Sequence, residues 1–107
     1  MRGAWRALDE AHVAAVGGHM GVYEIASREG EVVLIGYAGG RSTFGLRGEL
    51  RHRLAEPDRD GSRFRTEITT TYLSRHKELL MVHVAHHGSV PRENLADAPQ
   101  LGRLSPS

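Results

Sequence analysis

Gly21-Val22-Tyr23-Glu24-Ile25-Ala26-Ser27, then Arg28-Glu29-Gly30, then Glu31-Val32-Val33-Leu34-Ile35-Gly36-Tyr37-Ala38: two runs of β-branched, aromatic and aliphatic residues flank a polar tripeptide that ends in glycine. Such side chains pack well on a pleated surface, and the polar glycine-ended break lets the chain reverse, so this stretch predicts a β-hairpin. Upstream, Ala4, Leu8, Ala11 and Ala15 recur at helical spacing and stop at Gly17-Gly18, which predicts a leading helix over Ala4 to Val16. Downstream, Gly39-Gly40-Arg41-Ser42-Thr43 reads as a loop. Leu46, Leu50 and Leu54 then place one apolar stripe on a helix that must end before Pro57. After a polar turn over Ala55 to Ser62, Arg63 to Thr71 alternates Phe64, Thr66, Ile68 and Thr70 against Arg65, Glu67, Thr69 and Thr71, the period of a half-buried third strand. Tyr72 to His87 is apolar nearly all round through Leu79-Leu80-Met81-Val82, with Gly88 just past its end, and is expected to be the buried helix. From Leu95 to Ser107 there is no periodicity, and a poorly ordered tail is expected.

The expected architecture is α/β of the α+β type: a small three-stranded antiparallel sheet flanked by helices. Residues 1–20 would carry the leading helix, 21–94 the domain proper and 95–107 the tail. A chain of 107 residues with 39% hydrophobic content sustains one core and is too short for two. No apolar run approaches the ~20 residues of a membrane span, and Met1 to Asp9 lack the apolar stretch of a secretion signal, so a soluble cytoplasmic protein without a membrane partner is expected. With no cysteine, neither disulfides nor thiolate metal sites hold the fold. The net charge of +1 does not announce nucleic acid, although Arg41 to Arg65 holds seven arginines against Glu49, Glu56, Asp58 and Asp60.

Specific residues now fall into an order. Gly21-Val22-Tyr23 is followed, ten residues later, by Leu34-Ile35-Gly36; next comes a helix with Leu46-Arg47-Gly48-Glu49-Leu50, and after a strand and an apolar helix containing Glu78 comes Pro91-Arg92-Glu93-Asn94. This succession resembles the GIY-YIG nuclease superfamily over Gly21 to Asn94. The resemblance implies a phosphodiesterase acting on nucleic acid with one divalent ion, commonly magnesium. It implies that Glu78 holds the metal, that Tyr23 activates or orients the attacking water, and that Asn94 helps to position the site. Two departures stand out: Leu34 replaces the second tyrosine, and Glu49 occupies the place of the catalytic arginine, with Arg47 the nearest cation on the same helix. A carboxylate there opposes a phosphate, so weak or absent nuclease activity is expected. The alternative is the same scaffold turned to a small-molecule substrate or to binding without catalysis.

Several of these residues also have plainer readings. Glu49 and Arg53 are spaced as an i, i+4 surface ion pair, Tyr23 as a sheet residue, and Asn94 as a turn cap. An acid beside Leu79-Leu80-Met81-Val82 would be costly to bury without a partner, which favours a metal or an arginine at Glu78. His76, His83 and His87 share a stripe roughly 140–180° from Glu78 on a helical wheel and match no zinc motif, so they are expected to be structural.

Overall fold

Hydrophobic period and turn chemistry divide the chain into β1 (Arg6–Ala7), α1 (Glu10–Ala14), β2 (Gly21–Ala26), β3 (Val32–Ala38), α2 (Gly45–Leu54), β4 (Arg63–Ile68), α3 (Tyr72–His87) and α4 (Arg92–Ala96). These are the elements of the computed structural model, which describes residues 1 and 3–96. The class is α+β, and the sheet has four strands in the order β1-β4-β2-β3, every pair antiparallel. The expected hairpin is β2 and β3, joined through a turn in which Gly30 N–H bonds Ser27 O at 2.9 Å. Its register places Tyr23 opposite Gly36, with an irregularity after Ile25 where Ala26 faces Val32. β4 lies on the far side of β2, so β3 is an edge strand.

Two sequence expectations are corrected at the chain's start. The sheet gains a fourth strand, because Arg6–Ala7 pairs with Phe64 and Arg63 of β4. The helix expected from Ala4 begins at Glu10 instead: Asp9 is its N-cap and accepts the His12 N–H at 2.9 Å. An aspartate in this role satisfies an amide that the first helical turn leaves unpaired, while the open edge of β4 gives the preceding residues a better set of backbone partners. The third expected strand also stops early, at Ile68. There Thr69 Oγ1 accepts the Thr71 N–H at 3.1 Å, a local bond that bends the chain into α3.

Helices cover both faces of the sheet. On one face, Val13, Val16, Leu46 and Leu50 from the α1 and α2 side pack on Tyr23, Ile25, Leu34 and Phe64. On the other, Val22, Ile35 and Leu79 form a smaller buried group with Tyr72 and Leu80 partly buried beside it. α3 has the expected bounds and ends at Gly88, whose φ of 84° is the left-handed conformation that glycine adopts without a Cβ penalty. Its expected burial is corrected: Leu79 is its buried residue, whereas Leu73, Met81 and Val82 are each more than half exposed. A lone helix on one face of a small sheet has a single contact stripe, and nothing among the described residues covers the rest. The short helix α4 begins at Arg92, directly after buried Pro91, although no helical period marks this segment. The expected tail lies, from residue 97 onward, outside the described residues. Among the described residues, no helix is long and apolar enough to cross a membrane.

Candidate functional site

An edge strand leaves alternate N–H and C=O groups unpaired, and β3 deals with this at Ile35. The Asn94 side-chain amide accepts the Ile35 N–H at 2.8 Å and donates to the Ile35 carbonyl at 2.9 Å, repeating the pairing of a neighbouring strand. His76 Nε2 lies 2.9 Å from the same carbonyl. A carbonyl can only accept, so Nε2 carries a proton, and in the neutral ring the lone pair is then on Nδ1. Asn94 from α4 and His76 from α3 thus meet on the edge of β3.

Beside this edge runs a cleft of about 1000 Å³. Its α2 wall carries Glu49 and Arg53, its α3 wall Tyr72, Leu73 and His76, and its floor the β3 edge from Leu34 to Tyr37. The loop after β3 contributes Gly39, Gly40, Arg41 and Ser42. Tyr23 reaches the cleft although it is 1% exposed. Its ring crosses Gly36 on the adjacent strand, and any side chain at Gly36 would run into that ring. The glycine is therefore required by a close approach of the tyrosine.

The Tyr23 hydroxyl accepts a hydrogen bond from Arg53 Nε at 3.0 Å. Burial holds the phenol above its ordinary range, against the pull of Arg53, and the Glu49 and Glu56 carboxylates act in the same direction as burial. Tyr23 is therefore a neutral phenol near pH 7. Because its oxygen already accepts from Arg53, its own proton can be given to an acceptor in the cleft.

Arg53 continues into a chain of ion pairs. Its Nη1 donates to Glu56 at 3.0 Å, and Glu56 pairs with Arg59. Arg59, whose side chain is 8% exposed, donates to both carboxylate oxygens of Glu93 on α4, at 2.8 and 2.6 Å. Burial alone would raise the Glu56 carboxyl, but the hydrogen bond from Arg59 and the charges of Arg53 and Arg59 outweigh it and hold Glu56 below its ordinary range. This network ties α4 to the end of α2 and fixes the guanidinium that touches Tyr23.

Of the residues singled out from the sequence, the cleft brings together Tyr23, Glu49 and Asn94. Glu49 Oε2 is 3.5 Å from Ser42 Oγ, the hydroxyl that also accepts the Gly39 N–H. Arg47 is not among the lining residues; its guanidinium lies beside Gly18. Nor does Glu78 line the cleft: its side chain is 64% exposed and pairs with Arg75 at 2.7 Å, while Arg75 also binds Glu67. Of the two partners expected for an acid at that position, a metal or an arginine, the structure has the arginine, Arg75, and Glu78 faces solvent because Leu79, one residue on, takes the inward phase of the helix. His83 Nδ1 bonds the Ser89 carbonyl at 2.9 Å and its ring stacks on His87. Among the described residues, no group of three or more histidines and carboxylates is placed to hold a metal ion.

Arg53, His76, Tyr37 and Tyr72 line the cleft but were not chosen as site residues in the sequence. Arg53 was visible as the i+4 partner of Glu49, a spacing that puts both on one helix face. His76 was visible as the histidine one turn before Leu79-Leu80. Tyr37 was visible as a tyrosine three residues past Leu34, on the opposite face of the strand and so no substitute for it; Tyr72 carried no signal, and the meeting of the two depends on how α3 crosses β3.

No curated protein and no solved structure matches the chain. A family model matches residues 1–86, from the N-terminal strand through nearly all of α3, and the chain belongs to that family, described as Domain of unknown function (DUF7508).

Proposed function

We propose that this protein is a diverged domain of the GIY-YIG type whose cleft binds a phosphodiester of nucleic acid and hydrolyses it with a divalent ion. The observation that carries this reading is the meeting of the Tyr23 hydroxyl with Arg53 at 3.0 Å in a cleft that also holds Glu49 and Asn94. The packing of Tyr23 over Gly36 supports it, because the tyrosine of Gly-Val-Tyr and the glycine of Leu-Ile-Gly meet as direct strand partners.

The roles differ from those implied by motif order. Arg53, not Arg47, supplies the positive charge that stabilises a phosphoryl group, with Arg41 adding a second cation on the loop. Glu78, exposed and neutralised by Arg75, does not fit the ion's ligand in this cleft. Glu49 fits better: it is the one carboxylate lining the cleft among the described residues, with the Ser42 hydroxyl beside it. Hard oxygens suit magnesium, which keeps several waters and takes one or two carboxylates plus substrate phosphate. The bound ion would draw charge from the phosphoryl oxygens. Tyr23, held neutral, donates its proton in a hydrogen bond to a phosphoryl oxygen. His76, with its Nε2 proton given to Ile35, offers Nδ1 to take a proton from the attacking water.

The test is cleavage of labelled single- and double-stranded DNA and RNA in magnesium or manganese. Cleavage should fall about 10²- to 10³-fold in Arg53→Ala and persist in Glu78→Gln. An inert wild-type protein, or loss of activity in Glu78→Gln alone, contradicts the reading. The second reading, a site for a charged small molecule, draws on the cleft volume, at the upper end of the roughly 300–1,000 Å³ usual for such ligands. It gains if a folded wild-type protein cleaves none of the four substrates.

A further inference from the structure

Three rings meet on the α3 side of the cleft. Tyr37 stacks on Tyr72 with ring centroids 5.7 Å apart and planes 22° apart, and His76 meets Tyr37 edge-on at 5.0 Å. The group is not core, because Tyr37 is 41% exposed. It is nevertheless held in place. The Tyr72 hydroxyl accepts the Gly40 N–H at 3.2 Å, its ring packs against Gly39, and His76 is anchored on Ile35. Rings fixed before a ligand arrives lose little freedom when it binds.

The same Gly39-Gly40 segment leads into Arg41, and Tyr37 follows Gly36, over which Tyr23 lies. An apolar aromatic surface therefore adjoins a hydroxyl and two guanidinium groups within one cleft. A flat π-system joined to a phosphate by a short linker is the ligand chemistry that matches both halves, and a nucleotide has that form. A base inside a duplex has both faces stacked and its edge paired, and drawing it out costs both its stacking and its pairing. An unpaired base presents a face directly.

We propose that Tyr37 and Tyr72, with His76 holding Tyr37 edge-on, form a nucleobase subsite, so that the cleft takes an unpaired nucleotide of a single strand, its base against the tyrosine rings and its phosphate toward Arg53 and Tyr23. This rests on the reading of the cleft as a phosphodiester site, and the test separates the two.

The experiment measures binding by fluorescence anisotropy, with calcium in place of magnesium to keep the probe intact. Three probes are used: a short labelled oligothymidylate, an abasic strand of the same length and a duplex. Wild type should favour the oligothymidylate over the abasic strand by roughly 5- to 150-fold, the range for a base stacked on an aromatic side chain, and should bind the duplex more weakly than the single strand. Tyr37→Ala should abolish the preference for bases while leaving abasic binding in place, and Tyr37→Phe should retain it. Tyr37 is exposed, so both variants should melt close to wild type. Equal binding of oligothymidylate and abasic strand, equal weakening of both by Tyr37→Ala, or tighter binding of the duplex overturns the base subsite and leaves the phosphodiester reading standing. Absence of binding to all three probes overturns both.

Discussion

On the α2 side of the sheet, Val13, Tyr23, Ile25, Leu46, Leu50 and Phe64 are closed to solvent. On the α3 side the buried group is Val22, Ile35 and Leu79, while Leu73, Met81 and Val82 of the same helix stand in water. The first face has the density of a core, where each lost methylene is felt; the second is a thin layer over polar and aromatic side chains. The cleft lies at the β3 edge where the two meet, so Tyr23 and Arg53 rest on the dense face while Tyr37, Tyr72 and His76 belong to the thin one. Rigid support and an accessible ligand surface are thereby divided between the two sides of one strand.

The sharpest way to break this contrast is to empty the dense face. Phe64→Ala should destabilise by about 3–5 kcal/mol in urea unfolding, whereas Leu79→Ala should lie at the low end of the ~2–5 kcal/mol range for aliphatic truncations, because its surroundings can relax into solvent. Comparable losses at the two positions would mean that α3 is packed as firmly as α2. Arg59→Ala should come next, at about 1–3 kcal/mol, discounted because Glu56 and Glu93 are each about a third exposed and can recover water. Asn94→Ala should cost about 1–2 kcal/mol and speed amide exchange at Ile35, the proton that Asn94 accepts; unchanged exchange there would show that α4 does not seal the edge.

The smallest effect is a pH dependence. Glu56 is held below its ordinary range in the folded protein, so its contribution is present above the unfolded carboxylate value near pH 4.5 and is lost as pH falls through the folded value. Glu56→Gln should be less stable than wild type at pH 7 and should lose less on acidification. Parallel pH profiles for the two proteins would remove Glu56 from the network.

The sequence carried the hairpin, α2, β4 and the bounds of α3, because each shows a clean period of two or 3.6 or ends at a glycine or proline. It did not carry β1, two residues long and formed by pairing with a strand far along the chain. Nor did it carry α4, whose Pro91 to Asn94 segment is held by Arg59 and Ile35 rather than by its own period. For the site, helical phase separated Glu78 from His76 correctly but could not say which phase faces the sheet. That was decided by Leu79, and it is His76 that reaches the cleft. On α2 the same limit applies: the motif drew attention to Arg47, whereas Arg53, one turn beyond Glu49, shares the face that meets Tyr23.

The most direct test of the cleft as the functional site is a residue-by-residue map of amide chemical-shift changes when a short single-stranded oligonucleotide is added with calcium. Shifts should concentrate at Gly36, Tyr37, Gly39, Gly40, Glu49, Arg53 and His76 around the β3 edge. Shifts gathered instead at Glu67, Arg75 and Glu78, with the β3 edge silent, would contradict the account.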